Sequence, residues 1–382
     1  MNLMNKYPRI SDLELGAKKR IPRFAWAYLH AGTGQNSLRD LNQSAFQSIR
    51  LTPRVLKGRI EPNIETEILG QKFSMPVGIS PVGLTTMIWP GSEQMMAGAA
   101  RAARVPMTLS TVAGDSIEAV GKTVDGYGWY QLYPPKDRDV RNDLLKRAKE
   151  AGYKTLMVTV DVPAPSRRED MRKTGATVGS RSKSGITPGI IWQSMMCPSW
   201  SLGMLRAGGK LRFKTLERYA QNKQLSDISA YIGEQLNAGS DWDIIDDIRA
   251  NWDGPMIVKG ILHPADALDL IQRGINGIVV SNHGGRQLDG GPPSIQQLPL
   301  IRKAVGPDVF VAVDSGVRSG LDVVRALALG ADFVMMGRPF LYGAGAAGHA
   351  GPGHVLDILE DEIKNVMVQL GAGNLSDLPN HL

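Results

Sequence analysis

The sequence has very little cysteine and no long apolar run among its first twenty residues. Its one cysteine, Cys197, excludes a disulfide within the chain. The first twenty residues, MNLMNKYPRISDLELGAKKR, lack the continuous apolar stretch of a secretory signal peptide. We therefore expect an intracellular protein in the cytoplasm. Charged residues make up 21% of the chain and hydrophobic residues 42%, a balance that is typical of globular proteins and provides a sizeable core.

The net charge of +7 comes from one segment of the chain. Between Arg167 and Arg218, eleven basic residues accompany three acidic ones, whereas the rest of the chain carries 33 basic and 34 acidic residues. A local excess of this kind indicates an anionic partner for that segment. No aromatic platform or reading motif accompanies it, so we do not expect nucleic acid as the partner.

Eight short β-rich runs follow one another from residue 76 onward, and helix-like stretches separate most of them. The runs are nearly all apolar, as in parallel strands that helices cover. Their alternation with helices predicts a (β/α)8 TIM barrel. The runs are PVGIS (76 to 80), PMTLS (106 to 110), WYQLY (129 to 133), TLMVTVDV (155 to 162), PMIVKG (255 to 260), GIVVSN (277 to 282), VFVAVDSG (309 to 316) and FVMMGR (333 to 338).

The alternative is a doubly wound sheet with a dinucleotide site, because GAGAAG (343 to 348) matches the pattern G-x-G-x-x-G. The match begins six residues after Gly337 rather than at a strand end, so a glycine-rich helix start explains it as well. The length of 382 residues allows two average domains or one large barrel. We expect a single domain that spans residues 1–382.

Two regions lie outside the barrel repeat. Residues 1–75 contain a capping-box pattern from Ser11 to Glu14 and a hairpin-like stretch, IETEILGQKF, and we expect them to form a lid over one barrel end. Residues 170–250 occupy the connection after the fourth strand, which normally takes about 2 to 6 residues. A connection of this length indicates a functional insertion.

Polar residues gather where the predicted strands end. The carboxyl ends of barrel strands meet at one mouth, where barrel enzymes place their chemistry. A histidine base near a carboxylate, with arginines for an anionic substrate and a lysine nearby, is typical of a catalytic site. In strand order the residues are Ser80, Pro81, Val82 and Gly83; Ser110; Gln131 and Tyr133; Thr159 and Asp161; Lys259; His283 and Arg286; Asp314 and Arg318; and Gly337 and Arg338.

Each of these residues also has an ordinary structural explanation. A histidine at a strand end is often only a hydrogen-bonded residue, Asp161 would serve as a helix N-cap, and Tyr133 would fit a core. Lys259 is different, because burying a cation at the end of an apolar strand is costly unless an anion faces it. The combination of these groups at one mouth favours catalysis.

The last two strand ends predict a phosphate site. DSGVRSG (314 to 320) and GRP (337 to 339) each combine glycine amides with an arginine. Barrels often bind phosphate in the loops after strands seven and eight, through such amides and guanidinium groups. Two ordinary glycine turns are the alternative explanation.

SNHGGRQLDG (281 to 290) resembles the FMN-dependent 2-hydroxy acid oxidase and dehydrogenase family, and YQLY, TVDVP, VKG, DSGVRSG, ALALGAD and GRP support the resemblance. The family includes glycolate oxidase, L-lactate dehydrogenase and mandelate dehydrogenase, and the resemblance covers nearly the whole chain. The sequence is more similar to the membrane-associated bacterial dehydrogenases than to the plant-type oxidases. The resemblance implies FMN as the cofactor, no metal, and a homotetramer.

The resemblance also implies a role for each matching residue. His283 would be the active-site base, and Asp161 would orient it. Arg286 and Arg168 would bind the substrate carboxylate with help from Tyr28, and Tyr133 would hydrogen-bond near the substrate hydroxyl. Lys259 would lie beside the flavin edge where negative charge accumulates on reduction. The other cofactor residues would be Pro81, Val82, Gly83, Ser110, Gln131 and Thr159 around the ring, Gly316, Arg318, Gly337 and Arg338 at the phosphate, and also Ser281 and Asp314.

The resemblance implies that the side chain at position 112, which is Val112 here, limits the size of the substrate. Members that resemble glycolate oxidase carry tryptophan beside the substrate, where this sequence has valine. A smaller side chain leaves room for a larger substituent, so glycolate is disfavoured. Members that resemble lactate dehydrogenase also have a small residue there, so we rank L-lactate first and mandelate or longer 2-hydroxy acids next.

Residues 181–214 predict contact with an anionic membrane surface. Residues 185–205 are apolar and contain two tryptophans, and Lys and Arg residues flank them. Pro188 and Pro198 argue against a spanning helix, whereas tryptophan with flanking cations suits a membrane interface. We expect a peripheral protein on the inner face of the cell membrane that reduces a quinone or another membrane acceptor. A packed loop or an oligomer contact is the alternative.

Three other functions fit part of this pattern. A soluble oxidase would use the same residues but would pass electrons to O2 and produce H2O2. A different FMN barrel, such as an isomerase of a phosphorylated substrate, would have no evident use for His283, Asp161 and Arg286 together. A non-catalytic peripheral membrane scaffold would not need them either.

Overall fold

The computed structural model describes residues 2–175, 187–220, 231–236 and 239–382. Eight parallel strands form a closed barrel in chain order, which confirms the (β/α)8 fold predicted from the sequence. An antiparallel hairpin precedes them. The strands are β1 (Thr66–Ile68) and β2 (Gln71–Phe73) in the hairpin, and β3 (Val77–Ile79), β4 (Met107–Ser110), β5 (Gly128–Leu132), β6 (Thr155–Thr159), β7 (Met256–Ile261), β8 (Gly277–Val280), β9 (Phe310–Val313) and β10 (Phe333–Met336) in the barrel.

Helices surround the barrel, and their apolar faces pack on its outer surface. The described helices are α1 (Leu3–Lys6), α2 (Ile10–Lys18), α3 (Arg23–His30), α4 (Ser37–Gln47), α5 (Thr85–Ile88), α6 (Ser92–Ala103), α7 (Ile117–Val124), α8 (Arg138–Glu150), α9 (Glu169–Lys173), α10 (Pro188–Met195), α11 (Pro198–Arg206), α12 (Trp242–Asn251), α13 (Pro264–Gln272), α14 (Ser294–Val305), α15 (Gly320–Ala328), α16 (Arg338–Ala347) and α17 (Gly351–Leu370). Short 3-10 helices lie at Gly348–Ala350 and Leu375–His381.

Aromatic side chains close one end of the barrel. Phe73 of the hairpin lies 6.2 Å from the ring of Trp129 and 5.9 Å from that of Phe333, measured between centroids. Phe310 packs against both of those barrel rings. Trp129, Phe310 and Phe333 lie at or next to the start of their strands, so the hairpin plugs the amino-terminal end.

The N-terminal segment contacts both ends of the barrel, whereas we expected a lid over one end. Helix α3 lies at the carboxyl end, where the hydroxyl of Tyr28 donates to the carbonyl of Gly83 at 3.0 Å. The predicted capping box is also wrong. Helix α2 begins at Ile10, one residue before Ser11, which places Ser11 inside the helix. Asp12 instead accepts from the backbone amide of Arg9 at 3.1 Å and from its guanidinium at 3.2 Å.

The glycine pattern at 343 to 348 belongs to helix α16 and its end, not to a strand-to-helix turn. A Cβ on Gly345 would lie 2.7 Å from Ile21, and a Cβ on Gly343 would lie 2.5 Å from the carbonyl of Gly351. Glycine is needed at these positions because α16 packs closely against its neighbours. Together with the closed barrel, this packing shows that the dinucleotide-site alternative is wrong.

The described part of the insertion packs beside the carboxyl end of the barrel. Gln193 of α10 accepts a hydrogen bond from the backbone amide of Phe24 at 2.9 Å. Trp200 of α11 meets the ring of Phe24 edge-on at 5.6 Å and donates its indole N–H to the carbonyl of Met87. None of the helices in the described ranges is both long and apolar enough to span a bilayer. Residues 181–186 of the predicted membrane segment lie outside the described residues.

Candidate active site

A cavity of about 290 Å³ opens at the carboxyl end of the barrel. It brings together most residues of the predicted site, namely Tyr28, Pro81, Val82, Gly83, Val112, Tyr133, Arg168, Lys259, His283, Arg286, Asp314, Gly316, Arg318, Gly337 and Arg338. Five predicted residues do not line it: Ser110, Gln131, Thr159, Asp161 and Ser281. Asp161 and Ser281 nevertheless contact His283 and Lys259, which do line it.

His283 is held between a carboxylate and a phenol. Its Nδ1 lies 2.7 Å from Oδ1 of Asp161, and its Nε2 lies 3.4 Å from the hydroxyl of Tyr133. The backbone of His283 has a φ of 57°, in the left-handed region, and its amide donates to the hydroxyl of Ser281 at 3.1 Å. Such a conformation is strained for a residue with a side chain and persists only where the surroundings hold it. The loop therefore presents His283 in a fixed position.

Burial favours a neutral His283, whereas neighbouring charges keep Asp161 ionised. Burial lowers the pKa of His283; Asp161 opposes this effect and Lys259 adds to it, so the pKa lies below its ordinary value. Burial alone would raise the pKa of Asp161, but His283 and Lys259 outweigh burial and hold it below its usual range. We assign the Nδ1 proton to the bond with Asp161, which leaves Nε2 as a proton acceptor facing Tyr133.

Lys259 is a buried cation with anionic partners. Its Nζ donates to the hydroxyl of Ser281 at 2.7 Å and lies 3.7 Å from Oδ2 of Asp161 and 3.5 Å from Oδ2 of Asp314. Burial lowers the pKa of Lys259, but the two carboxylates outweigh burial and raise it above its ordinary value. The ammonium group therefore stays charged. The sequence predicted an anion facing Lys259, and two aspartates, Asp161 and Asp314, lie beside it.

Arg168 and Arg286 have no carboxylate partner among the described residues. Nη1 of Arg286 donates to the carbonyls of Tyr28 and Ala31 at 2.6 and 3.0 Å, and its guanidinium lies over the Tyr28 ring. Nε of Arg168 donates to the hydroxyl of Ser166. Burial lowers the pKa of Arg286 well below its ordinary value, and the charge of Arg168 lowers it further. An anion bound between the two guanidinium groups would relieve this repulsion.

Buried polar atoms near the mouth fit a flavin ring. The hydroxyl of Ser110 donates to Oε1 of Gln131 at 2.9 Å. Nε2 of Gln131 and the hydroxyl of Thr159 are buried without a hydrogen-bond partner in the described ranges. Because buried polar groups are rarely left unpaired, these atoms indicate a bound group with donors and acceptors of its own. FMN would supply such groups along the edge of its ring.

The loops after β9 and β10 fit a phosphate. Gly316 has a φ of 104°, and a Cβ there would lie 2.3 Å from the carbonyl of Asn42, so only glycine fits. Gly337 and Arg338 stand at the start of α16, where helix amides lack intrahelical partners. Nε of Arg318 is buried and unpaired among the described residues. Within those residues no group of His, Cys, Asp and Glu side chains could hold a metal ion.

Three residues that position the catalytic loop, Asn42, Asn282 and Asp289, were not predicted from the sequence. Asn282 and Asn42 exchange amide hydrogen bonds at 2.9 and 2.7 Å, and both residues are buried. Asp289 accepts bonds from the amides of Gln35 and Leu38, each at 2.9 Å, and so tethers the start of α4. Asn282 and Asp289 lie in the motif SNHGGRQLDG, but nothing in the sequence shows which distant segment they bind.

Gly260 and Gln287 were also missed. Gly260 has a φ of 108°, and a Cβ there would lie 2.4 Å from that of Asp161, so the glycine of VKG lets the carboxylate approach β7. Gln287 lines the cavity, and both its amide atoms are buried without a partner in the described part of the chain. The sequence signal that could have identified Gln287 is its position next to Arg286.

The cavity has an apolar side as well as a charged one. Val112 lies beside Gly83, where a Cβ would lie 2.5 Å from Cγ2 of Val112. Phe213, Ile232 and Leu236 of the insertion line the same cavity. An organic substituent would fit against such a surface while the arginines bind an anionic group.

A family model and two known proteins of similar sequence have names that agree with this site. A family model described as FMN-dependent dehydrogenase matches residues 17–382, which confirms the resemblance and the FMN cofactor. The L-lactate dehydrogenase of Ectopseudomonas mendocina (strain ymp) is 40% identical over 97% of this chain and 97% of its own length. The L-lactate dehydrogenase of Vibrio cholerae serotype O1 (strain M66-2) is 40% identical over 96% of each chain.

Solved structures show the same similarity. The monotopic membrane protein (S)-mandelate dehydrogenase has a TM-score of 0.91 and 31% identity over 98% of both chains. A mandelate oxidase variant solved with (S)-mandelic acid has a TM-score of 0.79 and 32% identity over 97% of both chains. These relatives are named as dehydrogenases or oxidases of lactate or mandelate, which are both 2-hydroxy acids. The chain therefore belongs to the FMN-dependent dehydrogenase family and is an FMN-dependent 2-hydroxy acid dehydrogenase, which acts on a CH–OH group.

Proposed function

We propose that the protein oxidises (S)-2-hydroxy acids, L-lactate first and mandelate or longer acids next, and that a quinone or another membrane acceptor takes the electrons. The observation that carries this proposal is the cavity in which Tyr133 and His283 meet two arginines that have no carboxylate partner among the described residues. Asp161 contacts His283 from outside the cavity lining. The relatives named L-lactate dehydrogenase, at 40% identity, support lactate as the first substrate. The neighbours named for mandelate support the second rank.

Substrate binding would place the reacting carbon next to the base. Arg168 and Arg286 bind the carboxylate, and the hydroxyl of Tyr133 hydrogen-bonds the substrate oxygen. Nε2 of His283 takes the proton that leaves the substrate, either from the hydroxyl or from C2. Asp161 then stabilises the imidazolium through its 2.7 Å contact with Nδ1.

Lys259 would stabilise the reduced state of the cofactor. FMN, when bound, supplies the two-electron acceptor for the oxidation. Ser110, Gln131 and Thr159 would hold its ring, and Arg318 with the Gly316 and Gly337 amides would hold its phosphate. The charged Nζ of Lys259, fixed by Asp161 and Asp314, would face the edge where negative charge develops.

The walls of the cavity support a substituent larger than hydrogen. Val112 leaves open the space that a tryptophan would fill, and Phe213 and Leu236 add an apolar surface. Glycolate would leave this surface in contact with water, whereas a methyl or phenyl group would bury it. The cavity thus favours lactate and mandelate over glycolate.

An exposed apolar surface on α10 and α11 supports contact with a membrane. Ile191, Trp192, Met195, Leu202 and Leu205 are between 48% and 71% exposed. Arg206 ends α11 and Lys210 lies four residues further on, and neither has an acidic partner in the described ranges. Apolar side chains beside cations suit insertion among anionic headgroups. We propose that residues 181–214 bind the inner face of the cell membrane, which would bring the cavity close to a quinone pool.

A soluble oxidase that reduces O2 to H2O2 is the second candidate, because mandelate oxidases are among the similar solved structures. The two candidates share every step up to reduced FMN. They differ in the acceptor, so anaerobically reduced enzyme mixed with O2 or with a quinone analogue distinguishes them by the rate of flavin reoxidation.

The experiment that tests the proposal is a substrate panel without oxygen. Loss of flavin absorbance is followed with L-lactate, (S)-mandelate, glycolate and longer 2-hydroxy acids. Fastest bleaching by L-lactate supports the proposed ranking, and no bleaching by any of these acids contradicts the function. In the same preparation, light scattering tests the homotetramer, and vesicle sedimentation tests membrane binding. A non-catalytic scaffold would bind vesicles but would bleach with none of the acids.

A further inference from the structure

Two partly buried arginines donate to the carbonyl groups at the end of α3. The last carbonyls of a helix lack intrahelical partners and carry partial negative charge, which attracts cations. Arg286 donates to the carbonyls of Tyr28 and Ala31. Arg338 donates Nε to the carbonyl of Leu29 at 3.0 Å and Nη2 to that of Ala31 at 3.2 Å. The Ala31 carbonyl therefore accepts from both guanidinium groups.

Arg338 also joins this helix end to the catalytic loop. Its Nη1 and Nη2 each donate to the carbonyl of Gly284 at 3.1 Å. Gly284 directly follows His283, and a Cβ on it would lie 2.7 Å from Nη1 of Arg338. One planar guanidinium thus fixes three carbonyls, and these set the positions of His283 and Arg286.

Arg318 differs from Arg338 in its bonds. Nη1 of Arg318 donates to the carbonyl of Val317 at 2.8 Å, but its Nε is buried and unpaired among the described residues. Both arginines line the cavity. Burial lowers the pKa of Arg338 to about 10, with Tyr342 opposing and Arg318 adding to this effect, so it remains a cation near neutral pH. Arg318 has a donor left for an anion, whereas the donors of Arg338 are largely occupied.

We infer that the side chain of Arg338 is a positioning residue of the substrate site and not the main anchor of the FMN phosphate. Arg318 and the backbone amides after β9 and β10 hold the phosphate. The inference rests on the proposed function in one respect: the anion bound between Arg168 and Arg286 is taken to be the substrate carboxylate.

Two binding measurements on the holoenzyme and the FMN-free enzyme test the inference. The Kd of FMN is measured by quenching of its fluorescence, and the Kd of oxalate, an anion without an oxidisable C–H bond, by the change in flavin absorbance. The variants are Arg338→Gln and Arg338→Lys, with Arg318→Gln as the matched control. Lysine keeps the charge but lacks the planar fork that reaches three carbonyls.

For both Arg338 variants we expect the Kd of oxalate to rise at least tenfold and the Kd of FMN to change less than threefold. Arg318→Gln should show the reverse. An FMN Kd that rises as much for Arg338→Lys as for Arg318→Gln, or an oxalate Kd that Arg338→Lys leaves unchanged, overturns the inference. If Arg338→Gln does not fold, Arg338→Lys decides. Neither measurement needs turnover, so failure of the wild type to oxidise L-lactate would contradict the proposed function alone.

Discussion

The two ends of the barrel are built from the same strands but differ in chemistry. Strand β5 begins beside the aromatic plug near Trp129, and Tyr133, the residue that follows the strand, lines the cavity. Strand β9 runs in the same way from Phe310 toward Asp314. The amino-terminal end buries rings, which stabilises the fold. The carboxyl end buries charged groups, which costs free energy unless they are paired. Stability and catalysis are therefore separated along each strand, so substitutions at the two ends should have different effects.

The largest effect is expected at the carboxyl end. His283→Ala removes the proposed base and should lower kcat about 10³-fold, because general base catalysis supplies about 10²- to 10⁴-fold. Unfolding temperature and FMN absorbance should stay close to wild type, since His283 contributes little apolar burial. Steady-state kinetics with L-lactate and thermal melts check this. A variant with wild-type kcat would show that another group takes the proton.

The opposite result is expected at the amino-terminal end. Phe73→Ala leaves a cavity against Trp129 and Phe333 and should lower the free energy of unfolding by about 3 to 5 kcal/mol. The folded fraction should keep the wild-type kcat, because no group at the mouth moves. Denaturant titration and kinetics on the same sample measure both. A large loss of kcat in folded protein would show that catalysis also depends on the amino-terminal end of the barrel.

The pH dependence of kcat/KM tests the charged groups at the carboxyl end of the barrel. Burial and Lys259 hold the pKa of His283 below its ordinary value of about 6.5, and the base works only when neutral. We therefore expect kcat/KM to stay level down to a pH below 6.5 and then to fall about tenfold per pH unit. An acid limb that begins above pH 6.5 would contradict the neutral imidazole. Asp161→Asn should reduce kcat as well, since the imidazolium loses its counter-charge.

Filling the apolar side of the mouth should alter specificity but not stability. Val112→Trp reduces the space beside Gly83, so kcat/KM for (S)-mandelate should fall at least tenfold more than kcat/KM for glycolate. Val112→Ala is the control, because it enlarges the same space and should not penalise mandelate. Equal losses for both substrates in the tryptophan variant would indicate that the substituent points elsewhere.

The smallest effect is expected outside the barrel, on the insertion. Lys210→Gln should weaken binding to anionic vesicles by about fivefold, since a basic residue near headgroups contributes about 1 kcal/mol. Lys57→Gln removes an exposed cation from a different segment and should leave vesicle binding unchanged. Turnover with a soluble acceptor should be the same for both variants. Equal binding of the two variants would reject residues 181–214 as the membrane contact.

The sequence predicted the features that follow from local pattern. Apolar runs that end in polar residues identify parallel barrel strands, and barrel geometry brings their ends together. For this reason Asp161 and His283, which are 122 positions apart, were expected at one mouth and lie 2.7 Å apart. Features that depend on a distant partner were not predictable in this way. The partner of Asn282 is Asn42, and the bonds of Arg338 to the end of α3 depend on where that helix docks.

Helix ends were predicted less well for a related reason. Ser11 and Glu14 have the spacing of a capping box, but so do neighbouring residues, and the position of the first turn depends on which apolar side chains of α2 reach the core. Ile10 and Leu13 are buried, so the helix begins at Ile10, and Asp12 accepts from the backbone amide of Arg9. Tertiary packing thus decided between caps that local pattern could not distinguish.

The reciprocal amide pair of Asn42 and Asn282 has a consequence for how the protein becomes active after synthesis. The loop with His283 is bound to helix α4, whose residues leave the ribosome long before the loop does. Backbone bonds from Thr52 to His381 and from Asn63 to Gly373 also join early segments to the end of the chain. Contacts between such distant residues form slowly because a long loop of chain must close first. The active site should therefore be among the last parts to order, and a nascent chain should remain inactive until its beginning binds its end.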